Sequence, residues 1–180
     1  MRNLKFTLKA WPVIALATIG LCFLTSLVAQ LFGVTLNEQA SLEVVKQYAG
    51  WNRQFAKILF MVLVFAPVGE ELLFRGLLWK LPSSVGGWLM KKLHVPRLFA
   101  NHLPPVLAVL SSAAFSAAHY VEAPWPDNAF FALFFFGLAQ CWLYRHTRAW
   151  YGIWSPILNH FLFNLTNLIL LFTIPESWMK

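Results

Sequence analysis

Charge is what this chain of 180 residues has least of. Asp, Glu, Lys and Arg together make up 12% of it, about half the share usual in soluble domains. Aspartate occurs once, at Asp127, and cysteine twice. The low charge, beside a hydrophobic content of 59%, excludes a water-soluble globule and excludes disorder, which needs the opposite balance. Two cysteines make no disulfide scaffold, and nine glycines make no collagen repeat. A single aspartate excludes an aspartyl dyad within one chain. No HExxH occurs, so the usual zincin helix is absent. Ser155 precedes Pro156 and lacks a GxSxG setting for a nucleophile. A mean hydropathy of +0.61 leaves one class, an integral membrane protein of one domain, and its long apolar runs make it all-α, a bundle of about five membrane helices.

A spanning helix takes about 20 mostly apolar residues. Five stretches approach that length: Trp11–Val34, Phe55–Leu81, Leu103–Tyr120, Ala129–Tyr144 and Gly152–Ile174. The fourth is short. Ser83–Leu93 is too short to span and reads as an interfacial or loop helix. The cations then set the topology. With the N-terminus inside, the inner pieces hold Arg2, Lys5, Lys9, Lys80, Lys91, Lys92, Arg97, Arg145 and Arg148 and no carboxylate. The outer pieces mix Lys46, Arg53, Lys57 and Lys180 with Glu38, Glu43, Glu122, Asp127 and Glu176. Retention of Lys and Arg on the cytoplasmic side gives N-terminus in and C-terminus out, and explains the net charge of +7 without nucleic acid. The basic start followed by an apolar run also suits a signal peptide with a weak site at Leu27-Val28-Ala29, but the run is long for one, so an uncleaved first span is expected. Cys22 and Cys141 read as small apolar residues. The two-proline loop Val121–Asn128 is expected to cap the outer face.

Charged groups inside a span cost about 2.5–3.5 kcal/mol each at its centre, so they demand partners. The second span holds Glu70, Glu71 and Arg75. Glu71 and Arg75 are one turn apart and can pair. Glu70 is rotated by about 100° and must look to another helix. The third span ends with Phe115 and His119 on one face, among small residues (Ser111, Ser112, Ser116 and several alanines) that admit a close neighbour. The fifth carries His160 and Asn164 one turn apart, continued by Asn167, with Asn159 about 100° away. Glu70, His119, His160 and Asn164 are natural partners in a shared cavity. His94, His102 and His146 lie in basic loops and read as solvated or lipid-facing.

The three motifs EExxxR, FxxxH and HxxxN, here Glu70–Arg75, Phe115–His119 and His160–Asn164, resemble those of the CPBP membrane proteins (CAAX protease and bacteriocin processing, also called ABI). The flanks FAPVGEELLFRGLL and SPILNHFLFNL agree. The resemblance covers roughly Phe55 to Leu170 and divides the chain into a first span with its outer loop (1–54) and a catalytic core (55–174). It implies an intramembrane endopeptidase acting on a membrane-anchored protein or peptide. Glu70 and His119 would activate a water, and His160 and Asn164 would donate hydrogen bonds to the oxyanion. Arg75 and Glu71 would support the site, with Phe115 in the second motif. The implied reaction needs no cofactor. A zinc version would draw on Glu70, His119 and His160. The location implied is a bacterial inner membrane, and a bundle of five spans could need an oligomer or membrane partner to close it. The rival readings are a non-catalytic scaffold or immunity-type relative, and a small transporter. One mismatch stands out: His160 lies near the start of its span and His119 near the end of a parallel one. A shared depth requires a third span starting near Leu107, or a tilt with a dipping loop.

Overall fold

The computed structural model describes residues 2–31, 53–119, 130–147 and 152–173. The loop at 121–128, the outer carboxylates Glu38, Glu43, Glu122, Asp127 and Glu176, and Lys46, Arg148 and Lys180 lie outside them. Among the described residues the structure is all helical. Helix α1 spans Arg2–Leu31. A continuous helical run then goes from α2 (Arg53–Phe60) through a π-helical stretch (Met61–Phe65), α3 (Ala66–Glu71), a second π-helical stretch (Leu72–Lys80) and α4 (Leu81–Lys92). Helices α5 (Arg97–Ala118), α6 (Phe130–His146) and α7 (Trp154–Thr173) follow. Segments of α1, α5 and α7 are long and apolar enough to cross a membrane. This is an all-α integral membrane protein.

Several boundaries differ from the sequence reading. α1 starts nine residues before Trp11, because backbone hydrogen bonding carries a helix past the edge of its apolar run. The segment expected as a separate interfacial or loop helix, Ser83–Leu93, is helical but continues the second span without a break. Both prolines of that run follow a widened turn. Ala66 N–H bonds to Met61 O just before Pro67, and Leu81 N–H bonds to Gly76 O just before Pro82. Both bonds reach back five residues, the π register. A proline ring in a helix clashes with the carbonyl four residues back, and the wider turn accommodates it. The run therefore bends its register instead of ending.

The packing is the reverse of a soluble protein's. Leu16, Phe23, Phe65 and Leu110 are exposed, as lipid-facing residues should be, while Glu71, Arg75, Ser112, Gln140 and Asn159 are fully buried. An apolar cluster sits beside these polar groups: Phe74, Phe115, Leu133, Phe136 and Phe163, with Ile14 and Ala15 of α1. The first span thus closes part of the core. The small residues of α5 do what their size permits. Ser111 Oγ donates to Phe74 O at 2.6 Å on one side, and Ser116 Oγ to Phe130 O at 2.7 Å on the other. Gly137 of α6 lies directly on Ser112: a Cβ there would stand 2.9 Å from Ser112 Cβ and 3.1 Å from an Arg75 Nη.

Candidate active site

The second helical run, α5 and α7 bring the expected polar groups together. Trp79 bonds to Pro104 O, and Ser111 to Phe74 O; as one number falls the other rises, so α5 is antiparallel to the run. His160 meets Glu71, and Asn164 meets Val62, so α7 is antiparallel to it as well. α5 and α7 are therefore parallel, as expected. α5 starts earlier than anticipated, at Arg97, which rules out the later start at Leu107 and widens the difference in reach between the two helices. His119 caps the C-terminal end of α5, and that end packs at the level of the second turn of α7. Helices of unequal reach share one polar layer.

Glu71 and Arg75 form the inner half of that layer. Arg75 Nε is 3.2 Å from Glu71 Oε2, and both side chains are 0% exposed. The guanidinium lies over the Phe115 ring at 4.4 Å from its centroid, a cation–π placement suited to a desolvated charge. The other oxygen, Glu71 Oε1, is 2.9 Å from His160 Nδ1. Glu70 forms the outer half. Its Oε2 stands 3.8 Å from His119 Nε2 and 3.8 Å from His160 Nε2. It is 29% exposed and His119 31% exposed, while His160 is buried at 6%. Phe115 joins the two halves. It is fully buried, with its ring centroid 4.7 Å from His119 and 5.9 Å from His160.

The hydrogen bonds assign the ring protons. His119 Nδ1 faces Phe115 O at 2.8 Å, and a carbonyl can only accept, so this nitrogen carries hydrogen. His160 Nδ1 faces the Glu71 carboxylate, whose other oxygen is paired with Arg75, so it too is placed to donate. With Nδ1 as the donor in each ring, the Nε2 of a neutral imidazole is an acceptor, and both Nε2 atoms lie near Glu70 Oε2. At 3.8 Å none of these contacts is a hydrogen bond. Three lone-pair atoms converge, a constellation that suits a species with hydrogens to donate, such as a water molecule.

Such a set also invites comparison with zinc. The carboxylate behind His160 is the kind of support a metal-bound histidine has. Ligands at about 2.0–2.1 Å on a tetrahedral ion lie roughly 3.3 Å apart, closer than the 3.8 Å pairs here. Among the described residues no group of three His, Cys, Asp or Glu side chains has metal-holding geometry. The residues as placed do not fit the ion.

Asn164 is placed differently from the other three. Its Nδ2 donates to Val62 O at 2.9 Å. The reason lies in the sequence. In the π register around Met61–Phe65 the Val62 carbonyl faces residue 67, and Pro67 has no N–H to offer. The asparagine supplies the missing donor from another helix and keeps a second amide hydrogen. Two buried amides escaped the sequence reading. Gln140 had no motif to mark it, and Asn159 was noted only for its angle. Both are fully buried with no hydrogen-bond partner among the described residues. Gln140 follows Gly137 by one turn, and Asn159 adjoins His160. The only signal in the sequence was an amide within an apolar run, which marks burial without naming a neighbour.

The comparisons with curated proteins and with solved structures gave no match. A family model described as type II CAAX prenyl endopeptidase Rce1-like matches residues 52–166, which contain all three motifs and every group in the layer. The chain belongs to the Rce1-like family of CAAX-type membrane peptidases.

Proposed function

We propose that this protein is an intramembrane endopeptidase that hydrolyses a peptide bond in a membrane-anchored protein or peptide with a water activated by Glu70 and His119. One observation carries the reading: Glu70 Oε2 stands 3.8 Å from the Nε2 atoms of both His119 and His160, with the three residues drawn from three separate helical segments. A water held there donates its hydrogens to acceptors on either side. Glu70 takes one proton as the oxygen attacks the scissile carbonyl. A C–O bond forms, and the carbonyl electrons move onto the oxyanion. The oxyanion then collapses, the C–N bond breaks, and the proton held by Glu70 passes through His119 to the leaving amine. General acid–base assistance of this kind contributes about 10²–10⁴-fold.

The oxyanion needs donors. His160 donates to the oxyanion from Nε2 once it has taken up a proton from solvent before the attack, a proton it keeps through the turnover, because its first hydrogen is held by Glu71. The Glu71 carboxylate stabilises that imidazolium, as an acidic partner does for a catalytic histidine. The second amide hydrogen of Asn164 is the other donor. Arg75 holds the Glu71 carboxylate in place. No cofactor is invoked. The substrate is a tail tethered to the bilayer, and its backbone must be unwound at the site, since a continuous helix hides its carbonyls. We place the protein in a bacterial inner membrane with its N-terminus inside.

Glu70→Gln tests the reading in a processing assay in which cleaved membrane peptides are counted by mass spectrometry. Turnover should fall by about 10²-fold or more with helicity and expression unchanged, because Glu70 is partly exposed and unpaired with Arg75. A scaffold or immunity-type protein would tolerate the change. Wild-type activity that is lost to a strong chelator and restored by zinc would replace the metal-free route.

A further inference from the structure

Between Glu71 and Glu122 the chain has no carboxylate, yet it has cations at the tip of the α4–α5 hairpin: Lys91, Lys92 and Arg97. All three are exposed. Among the described residues none has an acidic partner. The turn that carries them is held tightly. Val95 N–H bonds to Met90 O at 2.9 Å and His94 N–H to Lys91 O at 3.3 Å, with His94 left-handed at φ 55°. This is the paired closure of a Schellman motif, and Pro96 starts α5 immediately afterwards. The cations therefore sit on a fixed corner and not on a loose loop.

Apolar side chains share the corner. Trp88, Leu93 and Leu98 are 60%, 71% and 64% exposed. Lys92 Nζ lies 5.3 Å from the Trp88 ring centroid. A water-exposed corner would gain nothing from these side chains, whereas a membrane interface takes tryptophan at headgroup level and leucine beneath it. Length allows the corner to reach that level. The run from Arg53 to Lys92 extends about 60 Å at 1.5 Å per residue, more than the roughly 40–45 Å of a bilayer with its headgroups. One end must emerge into or past the headgroups, and Lys92 lies about 33 Å from Glu70 by the same rise.

We propose that the α4–α5 hairpin is a binding surface for anionic phospholipid headgroups, with Lys91, Lys92 and Arg97 facing the phosphate and Trp88, Leu93 and Leu98 entering the acyl boundary. The charge selects an anionic headgroup, and the apolar wedge selects a bilayer over a soluble acidic partner.

Native mass spectrometry of the full chain in detergent tests it, with phosphatidylglycerol or phosphatidylcholine added. The wild type should retain phosphatidylglycerol preferentially, and less of it as salt rises. The combined variant Lys91→Gln, Lys92→Gln, Arg97→Gln should lose retention by about fivefold per cation removed. Arg53→Gln with Lys57→Gln, at the opposite end of the same run, should leave it unchanged. The proposal is overturned by equal retention of phosphatidylcholine, by wild-type retention that ignores salt, or by an equal loss in the Arg53 and Lys57 variant. Displacement by inorganic phosphate alone would make this a free-phosphate site, and displacement by poly-glutamate a site for acidic protein; either result also overturns it.

Discussion

Pro67 lacks an amide hydrogen, and the consequence reaches a residue 97 positions away: Asn164 donates to the Val62 carbonyl that Pro67 leaves unpaired. The link can be measured. Asn164→Ala should lower stability by about 1 kcal/mol, the low end of the cost of an unsatisfied carbonyl, because Val62 is only part-buried. In a Pro67→Ala background the new N–H can reach Val62, so the same change should cost less. Thermal unfolding of the double-mutant cycle should give a coupling of about 0.5 kcal/mol or more, and strict additivity would refute the link. Arg75 is a harsher case. Arg75→Met leaves Glu71, fully buried, with only the His160 ring hydrogen. Breaking a buried ion pair costs about 3–5 kcal/mol, so the variant should accumulate poorly. Glu71→Gln added to Arg75→Met removes both charges and should recover much of that yield in detergent-solubilised membranes.

At the level of the helices, the polar layer exists because α6 can lie directly on α5. Gly137 permits this, with Ser112 and Arg75 within 3.1 Å of where a Cβ would be. Neither neighbour can move freely: Ser112 is bonded back to Ala108 O at 2.7 Å, and Arg75 is fixed by Glu71. Gly137→Ala should therefore push α6 outward at about 1–3 kcal/mol, and Gly137→Leu should not fold. An unchanged melting temperature for the alanine variant would show that α6 packs more loosely than described. The π-helical stretches belong to this scale too. They let Pro67 and Pro82 stand in one uninterrupted run, which is why the expected boundary between the second span and the segment at 83–93 is absent.

For the whole molecule, orientation remains a prediction from charge. Nine cations with no carboxylate on the inner pieces, with the five spans expected from the sequence, predict the two termini on opposite sides. A reporter enzyme active only outside the cytoplasm, fused after Lys180, should be active, and the same reporter at the N-terminus inactive. The reverse pattern would invert the topology and with it the face on which the α4–α5 hairpin meets lipid. The bundle also explains why α1, uninformative by motif, matters to the fold: Ile14 and Ala15 close the cluster that contains Phe115.

Composition determined that the chain lies in a membrane, because a chain with so little charge and so much apolar surface has no stable form in water, and apolar runs of spanning length determined that it is helical. Spacing determined which residues would meet. Glu71 had to take Arg75, one turn away, and Glu70 had to look elsewhere, since buried charge in lipid is not left alone. The order of the three motifs identified the family. What spacing could not reach was any choice made between helices. The proton positions on His119 and His160 depend on which acceptor each Nδ1 meets. The amide of Asn164 went to Val62 because a proline on another segment had left a carbonyl free. Gln140 and Asn159 joined the buried layer through packing that no local period encodes. A helix face is fixed by local periodicity, whereas the partner it meets is fixed by where the rest of the chain comes to lie.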